Sequence, residues 1–345
     1  MSDDETDPLQ QILAKHETFH ARLLREEAST LEGKKRKHGS SSKCTPISMH
    51  RKVEQERDNE EVEQVEEKNG NDGFRQKKRR SLPSRDETHL FDFSIENPFD
   101  GKLKDLACIR SLIADFPNVV FETPTSYCHY GYPYQKRTVF ITTLPTFRPT
   151  PPCPKRPCAA RQNGFKHGQQ AARSSSAQKN SIPNGLVDEL VDAWMRRVGK
   201  TALQFLIVDV FSGWGSVSSR IQTRHPRVHV FSNDIVDRSN INMTLDMRTF
   251  SLGSLLILAA SRFWTDEDDL RRQSEHPDGI LGWLRDEKIA VLLHISTPCE
   301  TYSTNALARH RKRGTVEPKT QEAVTADAMN ERIVAYLRRG LNFCV

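Results

Sequence analysis

The first clear alternation of apolar and polar positions begins near Thr88. His89–Ile95 alternates and is rich in aromatics, which predicts a strand that ends at Glu96-Asn97-Pro98. Leu103, Leu106, Ala107, Ile109, Leu112 and Ile113 then follow helical spacing up to Pro117, and Val139–Thr142 predicts a further strand. After Pro183, the residues Leu186, Val187, Leu190, Val191, Trp194 and Val198 recur at three- and four-residue intervals. They predict a helix with one apolar stripe and with Asp188, Glu189, Asp192, Arg196 and Arg197 outside it. Phe205–Val208 and Val228–Ser232 read as strands, and a helix opens at Ser216 between them. Leu252–Phe263 predicts a buried helix, Thr265–Asp278 a charged surface excursion, and Ile289–Ile295 a strand apolar on both faces. Met329, Ile333, Val334, Leu337 and Leu341 predict a last helix. Strands that alternate with helices in this way predict an α/β fold built on a largely parallel sheet.

Residues 1–87 show no such pattern beyond Leu9, Ile12, Leu13, Phe19, Leu23 and Leu24, which could line one face of a solitary helix near residues 8–31. Two basic clusters, Lys34–Lys37 and Lys77–Arg80, flank an acid-rich stretch from Glu54 to Glu67. The segment predicts a disordered charged tail whose clusters act as nuclear import signals or nucleic-acid patches. Composition agrees: only 36% of the 345 residues are hydrophobic, which is low for a wholly folded chain. The formal charge of +6 suits a polyanionic partner without proving one. No apolar run is long enough for a membrane span, no secretory signal is present, and seven cysteines in no regular framework fit a reducing compartment.

Candidate chemistry collects at the predicted strand ends. Val208–Val210 runs into Phe211-Ser212-Gly213-Trp214-Gly215 and then into a helix. Glycines there let a backbone approach a nucleoside-type ligand, and the helix N-terminus offers free N–H groups. Asn233-Asp234-Ile235 closes the next strand, where such folds bind ribose hydroxyls, and Asp246 is a third candidate acid. The apolar strand at 289–295 leads to Thr297-Pro298-Cys299-Glu300-Thr301-Tyr302-Ser303, which puts a cysteine where α/β proteins place their chemistry.

Asp209–Gly215 resembles the cofactor turn of the cytosine-C5 methyltransferases, and Thr297–Ser303 resembles their Pro-Cys nucleophile loop. The family usually has Gln after the cysteine and Phe before the serine, where this chain has Glu300 and Tyr302. Glu96-Asn97-Pro98 is similar to the loop carrying the family's catalytic glutamate. Tyr130-Gly131-Tyr132-Pro133-Tyr134-Gln135-Lys136-Arg137-Thr138 is similar to a basic element that follows the nucleophile in that family. Here both precede the cysteine, so the resemblance implies a circularly permuted Rossmann-like methyltransferase sheet with helices on both faces. On this reading residues 88–345 form one permuted domain: 88–144 with the two displaced elements, 145–182 a basic Pro- and Cys-rich loop, and 183–345 the closing helix, the cofactor half and the Pro-Cys loop. The rival reading is a fragment joining the end of one domain to the start of another. Termini of domains often lie close together, so joining them keeps every strand in place.

The resemblance implies S-adenosylmethionine as cofactor, held by Asp209, Phe211, Ser212, Gly213, Trp214, Gly215, Asp234, Ile235, Asp246 and Pro298. It implies Cys299 as the nucleophile toward cytosine C6, Glu96 assisting at N3, and Arg137 with Lys136 steadying base and backbone. The substrate implied is cytosine in DNA with the base flipped out of the duplex. RNA as substrate, and a silent relative acting as a chromatin adaptor, are the alternatives. Arg309–Gly314 is a basic loop suited to phosphates or to solvent. Cys153, Cys158 and His167 could supply part of a zinc site with Cys128 as a further ligand, but nothing in the spacing fixes it, and no metal is assigned.

Overall fold

A computed structural model of the chain describes residues 90–153, 158, 161–162, 166–167, 181–239, 241–264, 267–297, 302, 309–312 and 315–343. The tail with its basic clusters lies outside the described residues, as do Pro298, Cys299 and Glu300. The strands are β1 (Phe91–Pro98), β2 (Phe121–Ser126), β3 (Arg137–Thr142), β4 (Arg161–Gln162), β5 (Lys166–His167), β6 (Gln204–Val210), β7 (Val228–Asp234), β8 (Met243–Thr244) and β9 (Ile289–Ser296). The helices are α1 (Ala107–Asp115), α2 (Asn184–Val198), α3 (Ser216–Arg224), α4 (Leu252–Ala260), α5 (Glu267–Ser274), α6 (Gly279–Asp286) and α7 (Gln321–Phe343).

Seven strands form one sheet in the order β2-β3-β1-β9-β6-β7-β8, and β4 with β5 forms a separate ribbon. Only β3 runs against the rest, through antiparallel pairs with β1 and β2. The chain is thus α/β, with a mixed, mostly parallel sheet. β9, the last strand in sequence, lies between β1 and β6 and pairs in parallel with both. Its run of Ile, Ala, Val and Leu is buried on both faces, as a central parallel strand requires.

Helices cover both sides of the sheet. Successive strand residues point to opposite faces. Asp92 of β1 meets Arg197 of α2 at 3.5 Å. Its neighbour Phe91 meets α7 so closely that a Cβ on Gly340 would stand 2.3 Å from its ring. α2 lies against α3, while α1 and α4 pack on α7 and α6 on α4. The apolar stripe of α2 is buried as its spacing predicts, with Leu186, Val191 and Trp194 packed against Ile207, Val230 and Leu292 of the sheet. Each such side chain contributes roughly 1.5–3 kcal/mol when fully removed from water.

Several expectations are corrected. Asp188 does not face solvent: it is 8% exposed and receives Arg220 and Arg224 from α3 at 2.6 and 2.8 Å. The excursion at 265–278 contains α5, whose Gln273 is buried. The helical pattern at 103–113 breaks at Leu106, which is extended and separates a 3-10 turn (Leu103–Asp105) from α1. β2 escaped the pattern because Pro124 argues against a central strand; it is an edge strand, where Pro is tolerated. Among the described residues no helix is long and apolar enough to cross a membrane.

Candidate active site

The sheet's order brings the carboxyl ends of β1, β9, β6 and β7 side by side. Glu96 on β1 is the register partner of Ser296 on β9, although 200 residues separate them, a span matched by the Asn97–Thr297 hydrogen bond of 3.4 Å. On the other flank of β9, Val210 of β6 partners Ile295. With strands about 4.8 Å apart, the glutamate and the glycine turn stand about 10 Å from each other, with the end of β9 between them.

Thr297 and Tyr302 each bond to the turn after β1. Asn97 Nδ2 donates to Thr297 Oγ1, and the Lys102 N–H donates to the Tyr302 carbonyl at 2.9 Å. Gly101 makes this approach possible. A Cβ there would lie 2.6 Å from Asn97 Oδ1, 2.9 Å from the Pro98 carbonyl and 3.3 Å from that of Tyr302. Tyr302 itself is fully buried. Its hydroxyl donates to Asp327 at 2.7 Å and accepts from Asn330 at 2.8 Å, which gives the Tyr at this position a physical reason. Arg311 is buried with it, forked onto Asp327 by two bonds of 2.7 Å and stacked over the Tyr302 ring. The expectation that the 309–314 loop offers its cations to phosphate therefore fails for Arg311, and Lys312 pairs with Glu317.

Glu96 is 6% exposed and accepts from the Tyr127 hydroxyl at 3.1 Å. Lys136 Nζ lies 3.4 Å from the same carboxylate oxygen and 3.4 Å from the Tyr127 hydroxyl. Lys136 thus faces the acid directly. Arg137 sits beside it over the Phe99 ring, 3.5 Å from Asp100.

At the other flank, Phe211, Gly213 and Gly215 have φ of 60°, 58° and 65°. Glycine accepts this region freely, but a phenylalanine there is strained, and such strain concentrates at functional turns. Ser212 is buried, donating to the Asp209 carbonyl at 2.6 Å, and α3 starts directly after Gly215. Asp234 closes β7 and accepts from the Gly213 N–H at 2.8 Å and the Val236 N–H at 2.9 Å. Arg238 bridges the Gly213 carbonyl and Asp234 and stacks on Trp214. Trp214, Ile235 and Val236 are 42%, 52% and 47% exposed, apolar side chains next to this turn and the end of β7. Asp246 sits further out, its carboxylate paired with Arg248, which holds it below the usual carboxylate range.

One feature of the site went unread in the sequence. Register pairs run Thr142–Ser94–His294–Asp209–Ser232 across β3, β1, β9, β6 and β7, so a row of five polar residues crosses the sheet on the α2 side. All five are buried at 1% exposure or less. Ser94 Oγ, His294 Nδ1 and both Asp209 carboxylate oxygens have no hydrogen-bond partner of normal geometry. Burial lifts the Asp209 carboxyl from 3.8 to about 7, partly offset by nearby Ser212 and Ser218 and aided by Asp234. Burial likewise drops His294 from 6.5 to about 4, against the pull of Glu96, so its ring is neutral and bonded to Ser296 Oγ at 3.1 Å. Orphaned buried polar atoms are rare, and here they lie just below the strand ends. A histidine inside an otherwise apolar strand was the available signal.

In an open α/β sheet, ligands bind outside the carboxyl ends of the strands where the chain order switches direction. The carboxyl ends of β9 and β6 are that place here, since the chain passes from β6 to β7 on one side and returns from β8 to β9 on the other. An open α/β sheet with a strained turn and buried polar side chains at its switch point is the class defined by fold and site. Comparison with protein-family models, with curated proteins and with solved structures finds no match.

Proposed function

We propose that the protein is a nuclear DNA cytosine-C5 methyltransferase of permuted strand order that uses S-adenosylmethionine. The observation that carries this reading is the pairing of Glu96 with Ser296: an acid from the front of the folded region stands beside the strand that leads to Cys299. The strand order supports permutation. Counted from β6, it becomes 3-2-1-4-5-7-6, whose first five positions follow the doubly wound nucleotide-binding order.

The residues present fit the cofactor. A turn free of Cβ at Gly213 and an exposed Trp214–Ile235 rim suit a nucleoside. When bound, it supplies the methyl group as an electrophile. The protein's own part is to raise the nucleophilicity of C5. The Cys299 thiolate adds to C6, and Glu96 delivers or shares a proton at N3 so that the ring's negative charge is quenched. With the methyl group supplied to C5, the C5 proton would leave to solvent, expulsion of the Cys299 thiolate would restore the ring, and the N3 proton would return to Glu96. Tyr127 and Lys136 orient the Glu96 carboxylate for this role. A neutral His294 behind Ser296 keeps a second positive charge out of the crevice.

A second reading, a silent nucleic-acid-binding adaptor, is favoured by one observation: Asp234 is already engaged by Gly213, Val236 and Arg238, so a ribose would have to displace Arg238. Trapping separates the two. An oligonucleotide carrying 5-fluorocytosine cannot lose its C5 substituent as a proton, so a methylated adduct stays attached. Wild-type protein with S-adenosylmethionine should form it and Cys299→Ser should not. Adduct with an RNA strand only would move the substrate to RNA. Cofactor binding without either adduct would support the adaptor.

A further inference from the structure

A second constellation lies beyond the crevice and takes no part in the proposed chemistry. Cys128 and His129 occupy the 3-10 turn Tyr127–Tyr130 that follows β2, and Cys153 comes from the segment after β3. One ligand atom of each lies within 4.8 Å of the other two. The Cys158 thiol lies close enough to that of Cys128 to help raise its pKa, which brings a fourth donor to the same neighbourhood. None of Cys128, Cys153 and Cys158 is in a disulfide. His129 Nε2 is buried and has no hydrogen-bond partner.

A purely packing role does not account for this group. Three thiols and an unsatisfied imidazole nitrogen converge at the edge of the sheet, where apolar side chains would pack at no desolvation cost. A tetrahedral ion with sulfur at about 2.3 Å and nitrogen at about 2.0 Å spaces its ligand atoms roughly 3.5–3.8 Å apart, a small contraction from the observed cluster. We propose that Cys128, His129, Cys153 and Cys158 bind one zinc ion as a closed Cys3His site. Soft thiolate ligands with one imidazole select zinc over magnesium, calcium or manganese, and four protein ligands leave no open position for catalysis. His129, the neighbour of Cys128, supplies the imidazole here; the His167 side chain lies outside what is described.

The site has a structural task that its position defines. Segment 147–153 is laid along the edge strand β2: Thr125 Oγ1 donates to the Thr150 carbonyl at 2.6 Å, and the Cys153 N–H donates to Ser126 Oγ at 3.0 Å. A metal bridging Cys128 and Cys153 clamps that segment over an otherwise open sheet edge. It also fixes the turn whose first residue, Tyr127, donates to Glu96. Through Tyr127, the residue before Cys128, the acid's orientation is tied to the metal site. This inference does not depend on the reaction proposed above.

The test uses the full chain, expressed with zinc and purified without chelator. Elemental analysis should give about one zinc per chain, and replacement by Co(II) should give the visible bands of a tetrahedral thiolate site. Cys153→Ser and Cys158→Ser should lose most of the metal, while Cys108→Ser, whose thiol lies elsewhere, should keep it. Because a ligand variant can misfold, the wild type is also stripped with chelator: its thermal midpoint should fall and return on adding zinc. A folded wild type that holds no zinc or cobalt overturns the proposal, as does a Cys128–Cys153 disulfide found by non-reducing mass analysis.

Discussion

Replacing Asp327 by Asn should be among the most damaging single changes in the chain. Arg311 has a side chain with no solvent exposure, and Asp327, at 18%, is its counter-charge. Two bonds of 2.7 Å join them, a third guanidinium bond of 2.6 Å reaches the Val316 carbonyl, and the Tyr302 hydroxyl donates to Asp327. Breaking a buried pair by removing one partner strands the other charge and costs about 3–5 kcal/mol. The Tyr302 hydroxyl loses its charged acceptor but keeps Asn330, which adds about 1 kcal/mol. A loss of about 4–5 kcal/mol is expected, seen as a drop of roughly 2 M in the urea midpoint by circular dichroism. Replacing both partners with apolar residues, Arg311→Met with Asp327→Leu, removes the stranded charge and should recover at least about 2 kcal/mol relative to the sum of the single changes. A cost below about 1 kcal/mol for Asp327→Asn, or single costs that simply add, would refute the reasoning.

Asp209 gives a pH signature. Its carboxyl sits near 7 in the fold against 3.8 ordinarily, so between those values the native state holds a proton that the unfolded chain has released. Stability from this group therefore falls as pH rises through that window, and Asp209→Asn should gain roughly 3–4 kcal/mol on wild type between pH 4 and pH 8, read from urea midpoints. An unchanging gap would count against it. Gly101→Ala should cost about 1–3 kcal/mol through overlap with Asn97 and Pro98 and lower the melting temperature by several degrees; melting with wild type would show that the two turns are not in close contact. Trp214→Ala should weaken S-adenosylmethionine by about 2–10-fold in calorimetry if its exposed ring stacks on the cofactor, and an unchanged affinity removes it from the site. Glu96→Gln should slow adduct formation by about 10²–10⁴-fold with cofactor affinity held, whereas a loss of affinity instead would make it a structural residue.

Much of the fold could be read because its elements repeat their own periods. β9 is a buried apolar run, α2 an apolar stripe, and α7 buries Met329, Ile333, Val334, Leu337 and Leu341 as their spacing requires. β2 and β8 could not be read, one because Pro124 masks an edge strand and the other because two residues carry no period. Within the site, the turn at Phe211–Gly215 and the acids at strand ends announce themselves locally. The row from Ser94 through His294 to Asp209 does not, since it exists only once three distant strands adopt a common register. Arg311 misled for the opposite reason: a basic run looks solvated until Asp327, 16 residues on, comes back to neutralise one member of it.

The insertion of β9 between β1 and β6 has a consequence for how the molecule comes apart. Residues 90–153 supply β1, β2 and β3, residues 204–296 supply the other four strands of the sheet, and β1 is hydrogen-bonded along its length to the final strand. A protease cut between His167 and Ser181 would therefore not release two independent lobes. The two pieces should co-purify as a nicked complex, and, expressed from separate plasmids, they should complement each other in the cell. Neither alone has a closed core.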